Sequence, residues 1–310
     1  MKIRIGTRGS ALALWQTEFV GQNLRNHFPD LQIERIIIKT EGDRDQKSSL
    51  TRIGGQGVFT KTIEHALLQG QIDLAVHSLK DLPSTMTEGL MLAAVPQRGP
   101  LEDVLVTPQG LTLNGLPQGA TVATGSIRRR SQLLHLRPDL QLTDLRGNIH
   151  TRLRKMHKQN LHGIIMARAA LERLKISDVA YHVFSLQEMI PAVGQGAIGL
   201  QIRTDDVQTG RLLQSLNHHP TMQCVLAERT VLRVLDTGCQ FPMGAVALPR
   251  KDRLELTAFV GSMDGRHLLK ASESGPLNEA ENIGRRLAEK MLQAGAETIL
   301  KEFRNGAATQ

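Results

Sequence analysis

In KIRIGT, residues 2 to 7, Ile3 and Ile5 alternate with polar neighbours, the two-residue period of a half-buried strand. Ser10 then stands where an N-cap would open the amphipathic helix ALALWQTEFVGQNLRNHF. The same design returns at ATVAT, residues 120 to 124, a predicted strand followed by Ser126 as the cap of a helix carrying Arg128, Arg129 and Arg130. Free backbone N–H groups and the positive end of the helix dipole make each such terminus a seat for a carboxylate or phosphate. Two such seats in successive α/β stretches predict a two-lobed clamp.

Further strands are predicted at LQIERIIIKT (31 to 40), IDLAVH (72 to 77), LMLAAVP (90 to 96), LQLTDL (140 to 145), GIIMA (163 to 167) and IGLQIR (198 to 203). Helical patterns separate many of them, so the lobes are expected to be α/β with largely parallel sheets. The turn-rich QRGPLED (97 to 103) and PAVGQGAIG (191 to 199) read as the two crossings of a hinge. Residues 1–96 with 198–214 then form a first lobe and residues 103–190 a second. A helix after NHHP, a cysteine loop, strand-like runs at AVALP, RLELTAFVG and HLLKASES, and an amphipathic helix from about Asn278 to Leu292 make residues 218–310 a small α+β domain.

Length agrees with this division, because 310 residues exceed one ordinary core and suggest roughly two or three domains. No apolar run is long enough to span a bilayer, and Gln16 and Glu18 interrupt the N-terminal one, which makes a poor signal peptide. The cytoplasm is the expected location. Net charge is +8, and nine Lys and Arg against Asp139 and Asp144 put +7 of it in residues 126–158. A solvated basic face is the bland reading and nucleic acid the familiar alternative. With aromatics at 3% and no zinc-finger or basic-zipper spacing, a compact polyanionic small molecule fits better.

Two cysteines cannot make a disulfide framework, and the scattered histidines lack ligand spacing, so no metal is expected. GGQGVF (54 to 59) lacks both the Walker ending and the dinucleotide-binding glycine spacing and reads as a mobile loop. Cys224 lies on an apolar helical face with Ala227 and Val231 and reads as an inert packed thiol. Cys239, in LDTGCQFPMG, belongs to a loop that projects its side chain, and the residues alone leave a reactive thiol and a chance turn cysteine equally open. HSLKDLPS (77 to 84) sets Lys80 beside Asp81 at the end of a strand, where open α/β sheets bind ligands. That position suits an acid/base role for Asp81, with a solvated turn or an N-cap as the alternative. LRGNIHTRLRK (145 to 155) offers Arg146 and Arg152, whose planar forks suit carboxylates, and Asn148 near a helix start.

Taken together, IGTRGSALALWQ, GGQGVFTKTIE, DLAVHSLKDLP, ATGSIRRRSQL, LRGNIHTRL, PAVGQGAIG and TGCQFPMG resemble the porphobilinogen deaminase (hydroxymethylbilane synthase) family, in its order and over nearly the whole chain. The resemblance implies two periplasmic-binding-protein-like lobes forming a clamshell, plus the small C-terminal α+β domain. It also implies a dipyrromethane cofactor, covalently attached through a thioether to Cys239. Four porphobilinogen molecules would be deaminated and joined head-to-tail into linear hydroxymethylbilane, a step of tetrapyrrole biosynthesis. Asp81 matches the family's catalytic aspartate. Arg8, Ser10, Lys80, Thr124, Ser126, Arg128, Arg129, Arg146, Asn148 and Arg152 match residues that bind cofactor or substrate carboxylates, and Phe59 and Gln195 match cleft positions. Porphobilinogen is then the partner, with no nucleic acid, membrane or metal, and the chain is expected to be a monomer. Gln56, Gly125, His150, Arg168 and Thr237 depart from the family's usual residues and bear on loop behaviour and rate. A non-catalytic clamshell binding protein is the second reading and would require export; a nucleic-acid binder rests on charge alone.

Overall fold

Three separate sheets organise the chain in a computed structural model that describes residues 1–40, 42, 60–235 and 241–308. The chain builds β1 (Lys2–Thr7), α1 (Ala11–His27), β2 (Gln32–Ile37), α2 (Lys61–Leu68), β3 (Leu74–Ser78) and β4 (Leu90–Ala94). It then leaves for β5 (Asp103–Val106), β6 (Thr121–Ala123), α3 (Ile127–Leu136), β7 (Gln141–Thr143), α4 (Ile149–Lys158), β8 (Gly163–Ala167), α5 (Arg168–Arg173) and β9 (Tyr181–Val183). It comes back as β10 (Ile198–Arg203) and α6 (Val207–Gln214). The C-terminal part is α7 (His219–Val234), β11 (Met243–Arg250), β12 (Arg253–Gly261), β13 (Leu268–Pro276), α8 (Ala280–Gln293) and α9 (Ala296–Ala308).

The first two sheets share one topology, β2-β1-β3-β10-β4 and β7-β6-β8-β5-β9. In each, the fourth place is taken by the strand that has just crossed from the other body, and it runs antiparallel to both neighbours while β1, β2 and β3, or β6, β7 and β8, pair in parallel. Helices flank both sheets, so the fold is α/β, two lobes of the clamshell kind with a small α+β domain appended. Periodicity foretold β1, β8 and β10 residue for residue, but it assigned Asp103 to a hinge and did not read β5 or β9 as strands. With four and three residues respectively, these strands are too short for a two-residue period to register.

Each body has its own core. Ile3 and Ile5 of β1 pack with Val20 and Leu24 of α1, the apolar face that the alternation predicts. Val122, Leu133 and Ile165 form part of one core of the second sheet. In the third body, α7 and α8 cover the antiparallel sheet β11-β12-β13, burying Ala227 and Val231 against Leu254, Leu256, Ile283 and Leu287. The last helix, α9, follows Gly295 at φ +97° and extends the chain beyond the single terminal helix expected.

The two crossings touch backbone to backbone, with the Gly99 N–H donating to the Gly196 carbonyl at 3.1 Å. Gly196 has φ +80°, and a Cβ there would lie 2.5 Å from the Pro100 oxygen, so no side chain fits. Glu228 of α7, wholly buried, joins both crossings to the third body. It accepts the Arg98 fork at 2.6 and 3.1 Å, the Gly194 N–H at 2.7 Å and the Ala247 N–H at 2.8 Å. Among the described residues no helix is long and apolar enough to cross a membrane.

Candidate active site

Strand β3 delivers Leu79–Asp81 as a single 3-10 turn at the C-terminal edge of the first sheet, with Lys80 half-buried and Asp81 exposed. In the second lobe the turn after β6 is held by Thr124, whose Oγ1 accepts the Ser126 N–H at 3.2 Å. Ser126 caps α3 by accepting the Arg129 N–H at 3.5 Å. Ser10 caps α1 at Ala13, 3.3 Å, and Asn148 caps α4 at Thr151, 2.9 Å. All three caps are extended residues at their helix starts, so the two seats proposed from sequence, at Ser10 and Ser126, are capped helix N-termini.

Arg128 and Arg129 are buried, and each is partly committed within the protein. Arg128 donates to Asp103 at 2.7 Å and to the Ile190 carbonyl at 2.7 Å. Arg129 donates to Asp103 through Nη2 at 2.7 Å and Nε at 3.1 Å, and to the Ile165 carbonyl at 3.0 Å. Gln195, 1% exposed, gives Nε2 to the same carboxylate at 3.0 Å. Burial pushes the Asp103 carboxyl up, yet the charges and hydrogen bonds of the two arginines outweigh it and hold it well below the usual carboxylate range. Burial lowers Arg128 in turn. Sequence reading gave these forks to an external carboxylate and did not foresee this internal one.

The other cations crowd the same place. Arg152 is pushed down to about 10, by burial first and then by Arg129 and Arg146, while Asp81 acts the other way. Lys80 falls to about 8, again by burial first, with Asp81 and Asp103 opposing that fall and Arg129 and Arg128 adding to it. Five cations therefore face two carboxylates, Asp81 and Asp103. Arg152 is steadied by its Nε donating to the Gly147 carbonyl at 2.9 Å, and Lys155 ties down the Arg146 carbonyl at 3.0 Å. Arg8 stands half-buried at the end of β1, close enough to His77 to help keep that imidazole neutral. His77 is pushed to about 4, mainly by burial.

A cavity of about 70 Å³, lined by Lys80, Ser126, Arg128, Arg229 and Phe241 among others, opens where the three bodies meet. A larger depression, about 520 Å³, lies at the opposite end of the first sheet. Its charges satisfy one another, Arg4 with Asp73 at 2.6 Å and Arg203 with Asp206 at 3.0 Å, and it does not adjoin the arginine cluster. Cys224 is 2% exposed, and burial pushes its thiol up to about 12, so it carries no thiolate at neutral pH. Cys239 and Phe59, with GGQGVF and the departures at Gln56 and Thr237, lie outside the described residues.

Five polar residues of this region were missed from sequence: Arg98, Asp103, Arg173, Glu228 and Arg229. Two signals existed. Asp103 precedes the uninterrupted apolar run VLV, and Glu228 falls four residues after Cys224 on the face read as apolar. Arg173 gave none. It lies over the Trp15 ring at 5.4 Å, donates to the Gly196 carbonyl at 2.6 Å and is pushed down to about 10, first by burial.

Residues 3–211 match the family described as porphobilinogen deaminase, dipyromethane cofactor binding domain, and residues 222–293 match the porphobilinogen deaminase C-terminal domain. The porphobilinogen deaminase of Chloroherpeton thalassium is 46% identical over 304 residues, covering 97% of both chains. That of Carboxydothermus hydrogenoformans is 44% identical over 306 residues, 99% of this chain and 98% of the relative. Among solved structures, the chain is similar to an arginine-specific periplasmic binding protein of Salmonella typhimurium, with TM-score 0.39 and 16% identity over 69% of this chain and 91% of the other. It is similar also to the benzoate-bound BenM effector-binding domain, with TM-score 0.42 and 14% identity over 69% and 90%.

Proposed function

The chain belongs to the porphobilinogen deaminase family, and from that premise we propose how its own residues serve the family's reaction. It is a transferase of tetrapyrrole biosynthesis that joins porphobilinogen units into hydroxymethylbilane, and its cofactor is dipyrromethane. That group, when bound, supplies the pyrrole end to which new units are added.

The donor set fits such a group. Pyrrole acetates and propionates bring negative charge, and the cluster of Lys80, Arg128, Arg129, Arg146 and Arg152 holds more cations than its two carboxylates neutralise. The observation that carries the proposal is Arg152, whose ionisation is weakened by burial and by its fellow arginines around Asp81. Like charges gathered in a cleft are stabilised by an anionic guest. In our reading Arg8, Lys80, Arg146 and Arg152 pair with carboxylates through their charge, and Arg128 and Arg129 do so with the N–H groups that Asp103 does not take. Ser10, Thr124, Ser126 and Asn148 position the helix termini beside them. Gln195, fastened to Asp103, supports the cleft wall.

Asp81 is assigned the chemistry. An exposed carboxylate at the cleft can exchange a proton with a departing amine, and its negative charge favours positive charge developing on a pyrrole nitrogen. Cys239 is assigned the thioether, since it is the other of the two cysteines and Cys224 is buried and protonated. The division into residues 1–96 with 198–214, 103–190 and 218–310, a cytoplasmic location and a monomer that works without nucleic acid or membrane complete the proposal; three sheets with separate cores support the first part.

The test is Asp81→Asn, nearly isosteric and unable to carry the charge. We expect a melting temperature near that of the parent and product formation slower by at least about a hundredfold. Near-parental turnover would remove Asp81 from the chemistry, and a collapsed melt would make its role structural.

A further inference from the structure

Residues 82–84, after Asp81, pair with no strand among the described residues, and their carbonyls converge on one side chain from another body. Arg229 of α7 donates to the Leu82 carbonyl at 3.4 Å and, through Nη2, to those of Pro83 at 2.5 Å and Ser84 at 3.1 Å. It is 6% exposed and lines the central cavity beside Lys80, Ser126 and Arg128. The same helix runs on to Val234, five residues beyond Arg229, and Cys239 follows it in the sequence. Immediately before it, Glu228 is fixed to both crossings and to β11.

We infer that Arg229 is a positioning residue for the reaction, holding the backbone that follows Asp81 in register with the helix that leads into the cysteine loop. A guanidinium is suited to this because its rigid fork presents several donors in one plane to several carbonyls at once, whereas an ammonium is a point charge. Pro83 lacks an N–H, so the turn cannot be anchored there by donating to a sheet, and its carbonyl side is what remains to hold. Through this grip the third body, not the first lobe alone, sets where the carboxylate stands. A displacement of about 1 Å at a reacting group can cost about a hundredfold in rate, so a residue that touches neither proton nor substrate can still govern turnover. The inference rests on Asp81 being the catalytic group.

The experiment compares cofactor-loaded parent, Arg229→Lys, Arg229→Gln and Asp81→Asn, with loading checked by intact mass. Hydrogen exchange is followed in peptides covering 79–86, with peptides from β10 and β12 as internal references. Steady-state kcat and KM are measured with porphobilinogen. We expect faster exchange at 79–86 in both Arg229 variants with the references unchanged, kcat lower by roughly ten- to a hundredfold in Arg229→Gln, KM within about twofold, and Arg229→Lys in between. A raised KM with parental kcat and parental exchange would overturn the inference and make Arg229 part of the substrate seat. Faster exchange everywhere in Arg229→Lys, the milder change, would also overturn it, as a general structural role. Asp81→Asn separates the two proposals: if it retains turnover the catalytic assignment falls, while exchange at 79–86 still reports whether Arg229 holds the segment.

Discussion

Replacing Asp103 by Asn removes one negative charge from a wholly buried group and leaves Arg128 and Arg129, 5% and 6% exposed, without their internal counter-ion. The carboxylate receives four hydrogen bonds from Arg128, Arg129 and Gln195, between 2.7 and 3.1 Å. An amide of the same shape can accept through one oxygen but must turn an NH₂ group toward a guanidinium. Removing one partner of a buried ion pair typically costs about 3–5 kcal/mol, because the remaining charge stays desolvated. For a chain of this size that corresponds to a melting temperature lower by roughly 5–8 °C. The effect should be flat across neutral pH. Asp103 has a folded-state pKa held below its unfolded 3.8, so its contribution is whole above that value and is lost only as acid protonates it. Thermal unfolding of parent, Asp103→Asn, Arg128→Leu and the double variant supplies the assay. If Asp103 is the counter-ion, the double variant is less destabilised than the sum of the singles by about 0.5–3 kcal/mol. Additive losses, or an Asp103→Asn melt within about 1 °C of the parent, would refute the reasoning.

Four further outcomes are expected. Intact mass should show two linked pyrrole units on the parent and on Cys224→Ser but none on Cys239→Ser; an adduct surviving in Cys239→Ser would refute the attachment. Lys80, pushed down to about 8 from 10.5, is charged below that pH and loses its charge above it, so KM for porphobilinogen should rise as pH climbs through 8 to 9 in the parent and stay level in Lys80→Arg. The same shift means that between pH 8 and 10.5 the unfolded chain holds more protons, so the ligand-free fold should gain stability over that window, which a melt against pH checks. Gly196→Ala forces a Cβ against the Pro100 oxygen at φ +80° and should lower stability by about 2–5 kcal/mol, with an unchanged melt counting against a close-packed crossing.

The sequence by itself determined whatever depends on neighbours along the chain. Strands β1, β8 and β10 follow from alternation or apolar runs, and Ser10, Ser126 and Asn148 cap helices because the hydrogen bond reaches only three residues ahead. The basic stretch and the Lys80–Asp81 turn were visible in the same way. Tertiary structure alone decided which of these charges meet. Asp103 reaches arginines 25 and 26 positions away, and Arg98 finds Glu228 across 130. It also decided that β5 and β10 are exchanged between the lobes as antiparallel strands, and that Arg229 holds the turn after Asp81. Periodicity reports which face of a segment avoids water, and a buried ion pair leaves almost no mark on that pattern. Its members look like ordinary surface charges until folding removes the water from them and leaves each dependent on the other's charge.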